Sequence, residues 1–217
     1  MDDLSIQDER IDSALEELAV INTWLGGHSV SRAGVRMILK RIPERDGVSV
    51  LDVGAGGSDF AKAVSPLRTG IRVTALDLNE RACAYASRIY PDVRTVRGSV
   101  LDMPFAKNSF DIVHASLFLH HFKDPELRRI VPELYALSRY GMVINDLRRS
   151  TPALAGISIL TRIFSHSAMV KNDAPLSVRR AFDRDDIERI CSYVPDGNIV
   201  IRRKWAFRWL VCIKKDA

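Results

Sequence analysis

Val50-Leu51-Asp52-Val53-Gly54-Ala55-Gly56-Gly57-Ser58-Asp59 is the stretch that decides the architecture. A short buried strand runs into a glycine turn, and an apolar helix follows it over Phe60–Leu67. Glycines at such a turn let the backbone come close to a ligand and take positive φ. The carboxyl end of the first strand of an open α/β sheet is where ligands bind. The loop departs from the dinucleotide pattern G-x-G-x-x-G, because the third glycine position counted from Gly54 holds Asp59. A carboxylate at a helix N-terminus would repel a pyrophosphate but suits an amine or a sulfonium.

Outward from this loop, short β-branched runs alternate with amphipathic helices. Val48–Val53, Ile71–Leu76, Val93–Val96, Phe110–Ala115 and Met142–Ile144 read as strands, with helices at Glu80–Ile89 and Glu126–Leu137. Apolar strands without polar alternation are buried on both faces, which implies a parallel sheet covered by helices. Asp124-Pro125-Glu126 reads as a helix start with Asp124 as N-cap. The last two runs, Asn198–Arg203 and Phe207–Ile213, have no helix between them and must form an antiparallel hairpin. The fold class is therefore α/β, a doubly wound Rossmann-like, mostly parallel seven-stranded sheet ending in an antiparallel hairpin.

Residues 1–46 read as an N-terminal helical lid, and 47–217 as the main domain. Leu4, Ile11, Leu15, Leu18 and Leu25 share one helical face, Gly26-Gly27 stops that helix, and a second runs from about Ser31 to Arg41. Residues 150–182 are too apolar and too long for a plain connection, which points to a helical flap over a pocket. Within it Leu154, Ile157, Leu160, Ile163, Phe164 and Met169 face substrate or core.

The chain has 217 residues, 47% of them apolar and 27% charged, enough for one cored domain with a lid. No apolar run reaches the ~18–20 residues of a membrane span. An acidic start (Asp2, Asp3, Asp8, Glu9) is unlike a signal peptide. Cys83, Cys191 and Cys212 lie far apart, which argues against a disulfide framework or Cys-rich metal site and suits a reducing cytoplasm. The net charge of +5 is spread over scattered pairs such as Arg148-Arg149, unlike a nucleic-acid footprint. It would help an acidic substrate or an acidic acyl carrier protein approach.

Asp77 ends the second strand, where an acid accepts hydrogen bonds from both ribose hydroxyls. It indicates adenosine, in a nicotinamide dinucleotide or another cofactor. The series then becomes specific. Asp52-x-Gly54-x-Gly56, Asp77, and Gly98-Ser99-Val100-Leu101-Asp102-Met103-Pro104-Phe105 with Ser109-Phe110-Asp111-Ile112-Val113 resemble the motifs of class I S-adenosylmethionine-dependent methyltransferases. The small-molecule group with the ubiquinone and menaquinone methyltransferases is the nearest set. The resemblance implies S-adenosyl-L-methionine as cofactor, with Gly54, Ala55 and Gly56 lining its methionine part, Asp77 on the ribose, and Asp52 and Ser116 among the cofactor-binding residues. Leu78 would pack on the adenine, with Ser99 and Val100 beside it. Ser99 stands where the family usually has Asp.

The methyl group would point past Phe110–Ala115, where Ser116-Leu117-Phe118-Leu119-His120-His121 follows. This is not the Asn/Asp-Pro-Pro-Tyr motif used on nucleobase amines. A neutral imidazole can take a proton from a phenol or alcohol as its oxygen attacks a methyl group, so His121 and His120 are the candidate bases, His121 first. Trp24, His28, Asn145, Phe164 and His166 are candidate substrate contacts. No His/Asp/Glu spacing suggests a metal. Asn145-Asp146-Leu147-Arg148 and Ser177-Val178-Arg179-Arg180-Ala181-Phe182 are also similar to stand-alone methyltransferases of natural-product pathways. The expected reaction is methyl transfer to a small apolar molecule, first at a phenolic or enolic oxygen, second at carbon of an electron-rich ring, third on a carrier-bound acyl group. A nicotinamide-dependent oxidoreductase and a non-catalytic cofactor-binding protein are the readings from other classes.

Overall fold

The computed structural model describes residues 9–215. Leu4, expected on the first helical face, lies outside them. The core is a seven-stranded sheet in the order β3-β2-β1-β4-β5-β7-β6. Its strands are β1 (Val48–Val53), β2 (Ile71–Asp77), β3 (Arg94–Arg97), β4 (Phe110–Ser116), β5 (Ser138–Leu147), β6 (Asn198–Lys204) and β7 (Arg208–Lys214). The first five run parallel, while β7 pairs antiparallel with both β5 and β6. The expected terminal hairpin is therefore present, turning through 205–207.

Helices cover both faces: α1 (Glu9–Trp24), α2 (Gly27–Leu39), α3 (Asp59–Val64), α4 (Glu80–Ile89), α5 (Asp124–Leu137), α6 (Thr151–Phe164), α7 (Ala168–Arg180) and α8 (Arg184–Ser192). One apolar cluster lies between the sheet and α5/α8, built on Ile130, Leu134, Met142, Ile187 and Trp209. The other lies on the opposite face, where α2 and α3 meet Val50, Ile112, Val143 and Leu210. Strands buried on both faces explain the unbroken apolar runs.

Two local expectations shift. α2 starts at Gly27, about one turn before Ser31, because Gly26 alone takes the left-handed turn (φ +70°) that ends α1. Gly27 then enters the next helix, where a Cβ would lie 1.7 Å from Asn22 Oδ1. The N-cap of α5 is Lys123, not Asp124; Asp124 sits in the first turn and binds Arg128, Arg189 and the Tyr193 hydroxyl instead. At α8 the N-cap is Asp183, which accepts from Asp186 N at 3.0 Å.

Two arms close over the carboxyl ends of the parallel strands. α1 is held to α4 by Asp12, which binds Arg81 at 2.7 Å and Arg88 at 2.7 Å. The α6–α7 junction is held to α1 by Glu17, which accepts from the backbone N–H of His166 at 2.9 Å and of Ser167 at 3.1 Å. Among the described residues no helix is long and apolar enough to cross a membrane.

Candidate functional site

The glycine loop leaves β1 with three residues in left-handed conformations: Gly54 (φ 63°), Gly56 (φ 50°) and Ser58 (φ 61°). Gly54 is fixed on two counts, since a Cβ there would also lie 2.0 Å from Cδ2 of Phe118. Gly54 N and Ala55 N donate to Leu76 O at 2.9 and 3.1 Å, tying the loop to β2. Gly56 N donates to Asp77 Oδ2 at 2.8 Å, and Asn79 N to Asp77 Oδ1 at 2.9 Å. Burial pushes the Asp77 carboxyl above the usual carboxylate range, against those N–H groups.

Beneath the loop lies a buried chain of polar side chains. Asp52 accepts from His114 Nδ1 at 2.7 Å, and His114 Nε2 bonds Ser31 Oγ at 2.8 Å with Phe60 stacked on the ring. Burial raises the Asp52 carboxyl despite the His114 contact. Asn145 Nδ2 donates to Ser31 Oγ at 2.9 Å and Gly27 O at 3.0 Å. At the start of α3, Asp59 Oδ2 pairs with His28 Nε2 at 2.7 Å. Burial acts to raise the Asp59 carboxyl, but the His28 bond outweighs it and holds it low.

Above these groups is a cavity of about 430 Å³, of the size that takes a small molecule. Its walls come from α1 (Ala14, Leu15, Leu18), the glycine loop, the end of β4 (Ser116, Leu117), the 3₁₀ turn Leu119–His121, α6, α7 and the β6–β7 turn. Leu117 holds a left-handed conformation (φ 52°), a strained setting for a branched side chain, and re-aims the chain from β4 into that turn. The turn carries a His–Asp pair. His120 Nδ1 bonds Asp146 Oδ1 at 2.7 Å, and both side chains are buried. Asp146 also accepts from the N–H groups of Leu119, His120 and Leu147, at 3.0, 3.3 and 2.8 Å. Burial acts to raise Asp146, but the His120 contact and the Leu147 N–H outweigh it, so this carboxyl lies below the usual range and stays ionised. Its oxygens then accept and His120 Nδ1 donates, and in the neutral imidazole Nε2 is the acceptor nitrogen. That Nε2 is buried with no hydrogen-bond partner, as is Ser116 Oγ in the same wall. His121 is exposed, its ring 4.2 Å from that of His120.

A family model described as a methyltransferase domain matches residues 50–141. Over that stretch, from β1 into β5, the chain is similar to methyltransferase domains. It is 28% identical over 150 residues to the malonyl-[acyl-carrier protein] O-methyltransferase of Pectobacterium atrosepticum, covering 64% of this chain and 58% of that one. It is 35% identical over 75 residues to a demethylmenaquinone methyltransferase of Chlorobaculum parvum, covering 35% and 31%. The chain thus spans about half the length, or less, of these relatives. In fold it is similar to the plantazolicin methyltransferase BpumL, solved with a substrate analogue and S-adenosylhomocysteine. There the TM-score is 0.71 at 14% identity, covering 96% of this chain and 90% of the other.

Of the expected site residues, Asp52, Gly54, Ala55, Gly56, Ser116, His28, His120 and His121 all line the cavity. Asp77, Leu78, Ser99 and Val100 sit beyond it, at the β2 and β3 ends. Leu78 is 46% exposed, Val100 is buried, and Ser99 Oγ accepts from Leu101 N at 3.1 Å. Four expected substrate contacts do not line the cavity. Trp24 and Phe164, at 73% and 66% exposure, end their helices pointing to solvent. His166 is exposed and serves through its backbone N–H. Asn145 is fully buried and clamps α2 to the sheet. In the flap Ile157, Leu160 and Met169 line the cavity, whereas Ile163 faces out. His114, Arg208 and the turn 205–207 also line the cavity without having been singled out in the sequence, and within the expected flap α7 adds Asp173, Ala174, Ser177 and Val178. Among the described residues no cluster of His, Cys, Asp and Glu could hold a metal ion.

Proposed function

We propose that the protein transfers a methyl group from S-adenosyl-L-methionine to a phenolic or enolic oxygen of a small, largely apolar acceptor, with His120 as general base. The observation that carries this reading is the buried, unpartnered Nε2 of His120 in the cavity wall, backed by Asp146 at 2.7 Å. His121, also in the wall, is exposed, whereas the His120 ring is buried.

The residues present fit the cofactor. Gly54 and Gly56, in left-handed conformations, bring the loop backbone to the cavity wall, and Asp77 offers two carboxylate oxygens at the strand end. Ser116 Oγ is an orphaned polar atom beside them. When bound, the cofactor supplies an electrophilic methyl group on a sulfonium. Asp77 holds the ribose hydroxyls, the glycine loop faces the methionine part, and the apolar residues of α1, α6 and α7 exclude water. The cavity walls orient the acceptor oxygen in line with the methyl group, the main source of rate for a displacement of this kind. Nε2 of His120 takes the acceptor's proton, and Asp146 stabilises the imidazolium that results. Carbon methylation of an electron-rich ring would use the same base.

A carrier-bound acyl acceptor is the second reading. It is favoured by the similarity to the malonyl-[acyl-carrier protein] O-methyltransferase and by the net charge of +5. The test is a mass-spectrometric screen of phenols, quinols and acyl carrier proteins with S-adenosylmethionine, run on wild type and His120→Ala. A methylated phenol or enol whose formation falls about 10²–10⁴-fold in His120→Ala, at unchanged cofactor affinity, is the expected result. Full turnover in His120→Ala removes the base.

A further inference from the structure

Arg208 opens β7, is 2% exposed, and lines the cavity. Its surroundings do not neutralise it. Nη2 donates to Asn22 Oδ1 at 2.9 Å and Nη1 to Asn145 Oδ1 at 3.3 Å, both neutral amides. Nε is buried with no partner. Among the described residues no carboxylate forms an ion pair with this guanidinium. Two buried acids act on it from a distance: Asp146, which is hydrogen-bonded to His120 at 2.7 Å, and Asp59, which is taken by His28 at 2.7 Å and meets Arg208 only through Asn22. Burial lowers the Arg208 pKa to about 10, which still leaves it charged at neutral pH. A buried charge is normally paired, and this one is held in place by two amides while three of its five N–H donors stay unused.

We propose that Arg208 is the carboxylate receptor of the cavity, a ligand carboxylate supplying the counter-charge that the protein withholds. This rests on the cavity being the joint site of cofactor and acceptor. The planar guanidinium presents Nε and one Nη side by side, which matches the two oxygens of a carboxylate. The mostly apolar walls and the nearby Asp59 disfavour a dianion such as a phosphate. Asn22 and Asn145 fix the plane of the fork from α1 and β5, so the receptor is complete only when α1 is seated. Two carboxylates can reach the cavity: the amino-acid end of the cofactor, and one borne by the acceptor.

Calorimetry on the full chain separates them, using wild type, Arg208→Met and Arg208→Lys. The first arm compares S-adenosylhomocysteine with its α-carboxamide. The second compares 2-hydroxybenzoate with 2-hydroxybenzamide on protein saturated with S-adenosylhomocysteine. A carboxylate-over-amide preference of about tenfold or more in wild type is expected in one arm, lost in Arg208→Met and partly kept in Arg208→Lys. The first arm would assign the receptor to the cofactor, the second to the acceptor. No such preference in either arm, or a preference undiminished in Arg208→Met, overturns the proposal. Failure of wild type to bind either form of the cofactor analogue is a different failure, which overturns the methyltransferase reading beneath it. Should Arg208→Met not fold, as judged by its urea transition, Arg208→Lys decides: a preference equal to wild type refutes the fork.

Discussion

Replacing Asp146 by Asn changes one atom and sets two needs of the site against each other. In wild type, Asp146 Oδ2 accepts from Leu119 N and His120 N, and Oδ1 accepts from Leu147 N and His120 Nδ1. An amide has one oxygen to offer. If that oxygen keeps the Oδ2 place, the NH₂ faces Leu147 N–H and His120 Nδ1. The imidazole must then turn acceptor at Nδ1 and carry its proton on Nε2, where no base remains. If the amide flips, His120 keeps its tautomer but Leu119 N–H and His120 N–H lose their acceptor. One buried N–H is stranded in the first case and two in the second, at about 1–3 kcal/mol each, so the first arrangement prevails. Asp146→Asn should therefore lose about 1–3 kcal/mol of stability by urea unfolding, and methyl transfer should fall about 10²–10⁴-fold with cofactor affinity unchanged. Nitrogen-15 NMR of the His120 ring should show the proton on Nδ1 in wild type and on Nε2 in the variant, a readout that needs no acceptor. A variant with the wild-type tautomer and full turnover would refute the reasoning.

Three further outcomes follow from the same geometry. Gly54→Ala must both adopt φ +63° and clear a 2.0 Å contact with Phe118; a loss of about 2–5 kcal/mol is expected in urea unfolding, partly recovered in Gly54→Ala/Phe118→Ala, and a neutral single variant would contradict the loop conformation. The Asp77 carboxyl is raised by burial, and its ionised form is the acceptor for ribose hydroxyls, so affinity for S-adenosylhomocysteine should decline on acidification at a pH above the ordinary Asp range, and pH-independent affinity down to that range would count against it. Asp111 is held low because Ser49 N–H at 2.9 Å, Ser49 Oγ at 3.0 Å and Arg45 outweigh its burial; its stabilisation is complete above the unfolded-state pKa and lost as pH falls through the depressed folded value, so Asp111→Ala should cost about 1–3 kcal/mol at pH 7 and progressively less in acid, whereas a cost independent of pH would show that the charge is irrelevant.

The strands and the closing hairpin were legible because strands buried on both faces are written as unbroken apolar runs, and the three residues between the last two strands cannot hide a crossover helix. The glycine loop was legible through Gly54 and Asp77. What was lost depended on which face a residue takes. Asn145 and Asp146 are neighbours in sequence, but a strand turns them to opposite layers, so one clamps α2 and the other orients His120. In α6 an apolar helix gives no cue to its inner side, so Ile163 and Phe164 read like Ile157 and Leu160. Arg208 follows a turn and reads as surface until α1 covers it. His114 left a usable signal: it is a histidine inside an apolar strand, directly opposite Asp52 in the β1–β4 register.

The most direct test of the central claim is isothermal titration of the full chain with S-adenosylhomocysteine and NADH in parallel, repeated on Asp77→Ala. Micromolar binding of S-adenosylhomocysteine, no signal from NADH, and affinity weakened about tenfold or more in Asp77→Ala are predicted. Binding of NADH in place of S-adenosylhomocysteine, or an affinity that Asp77→Ala leaves unchanged, would contradict the site built on the glycine loop.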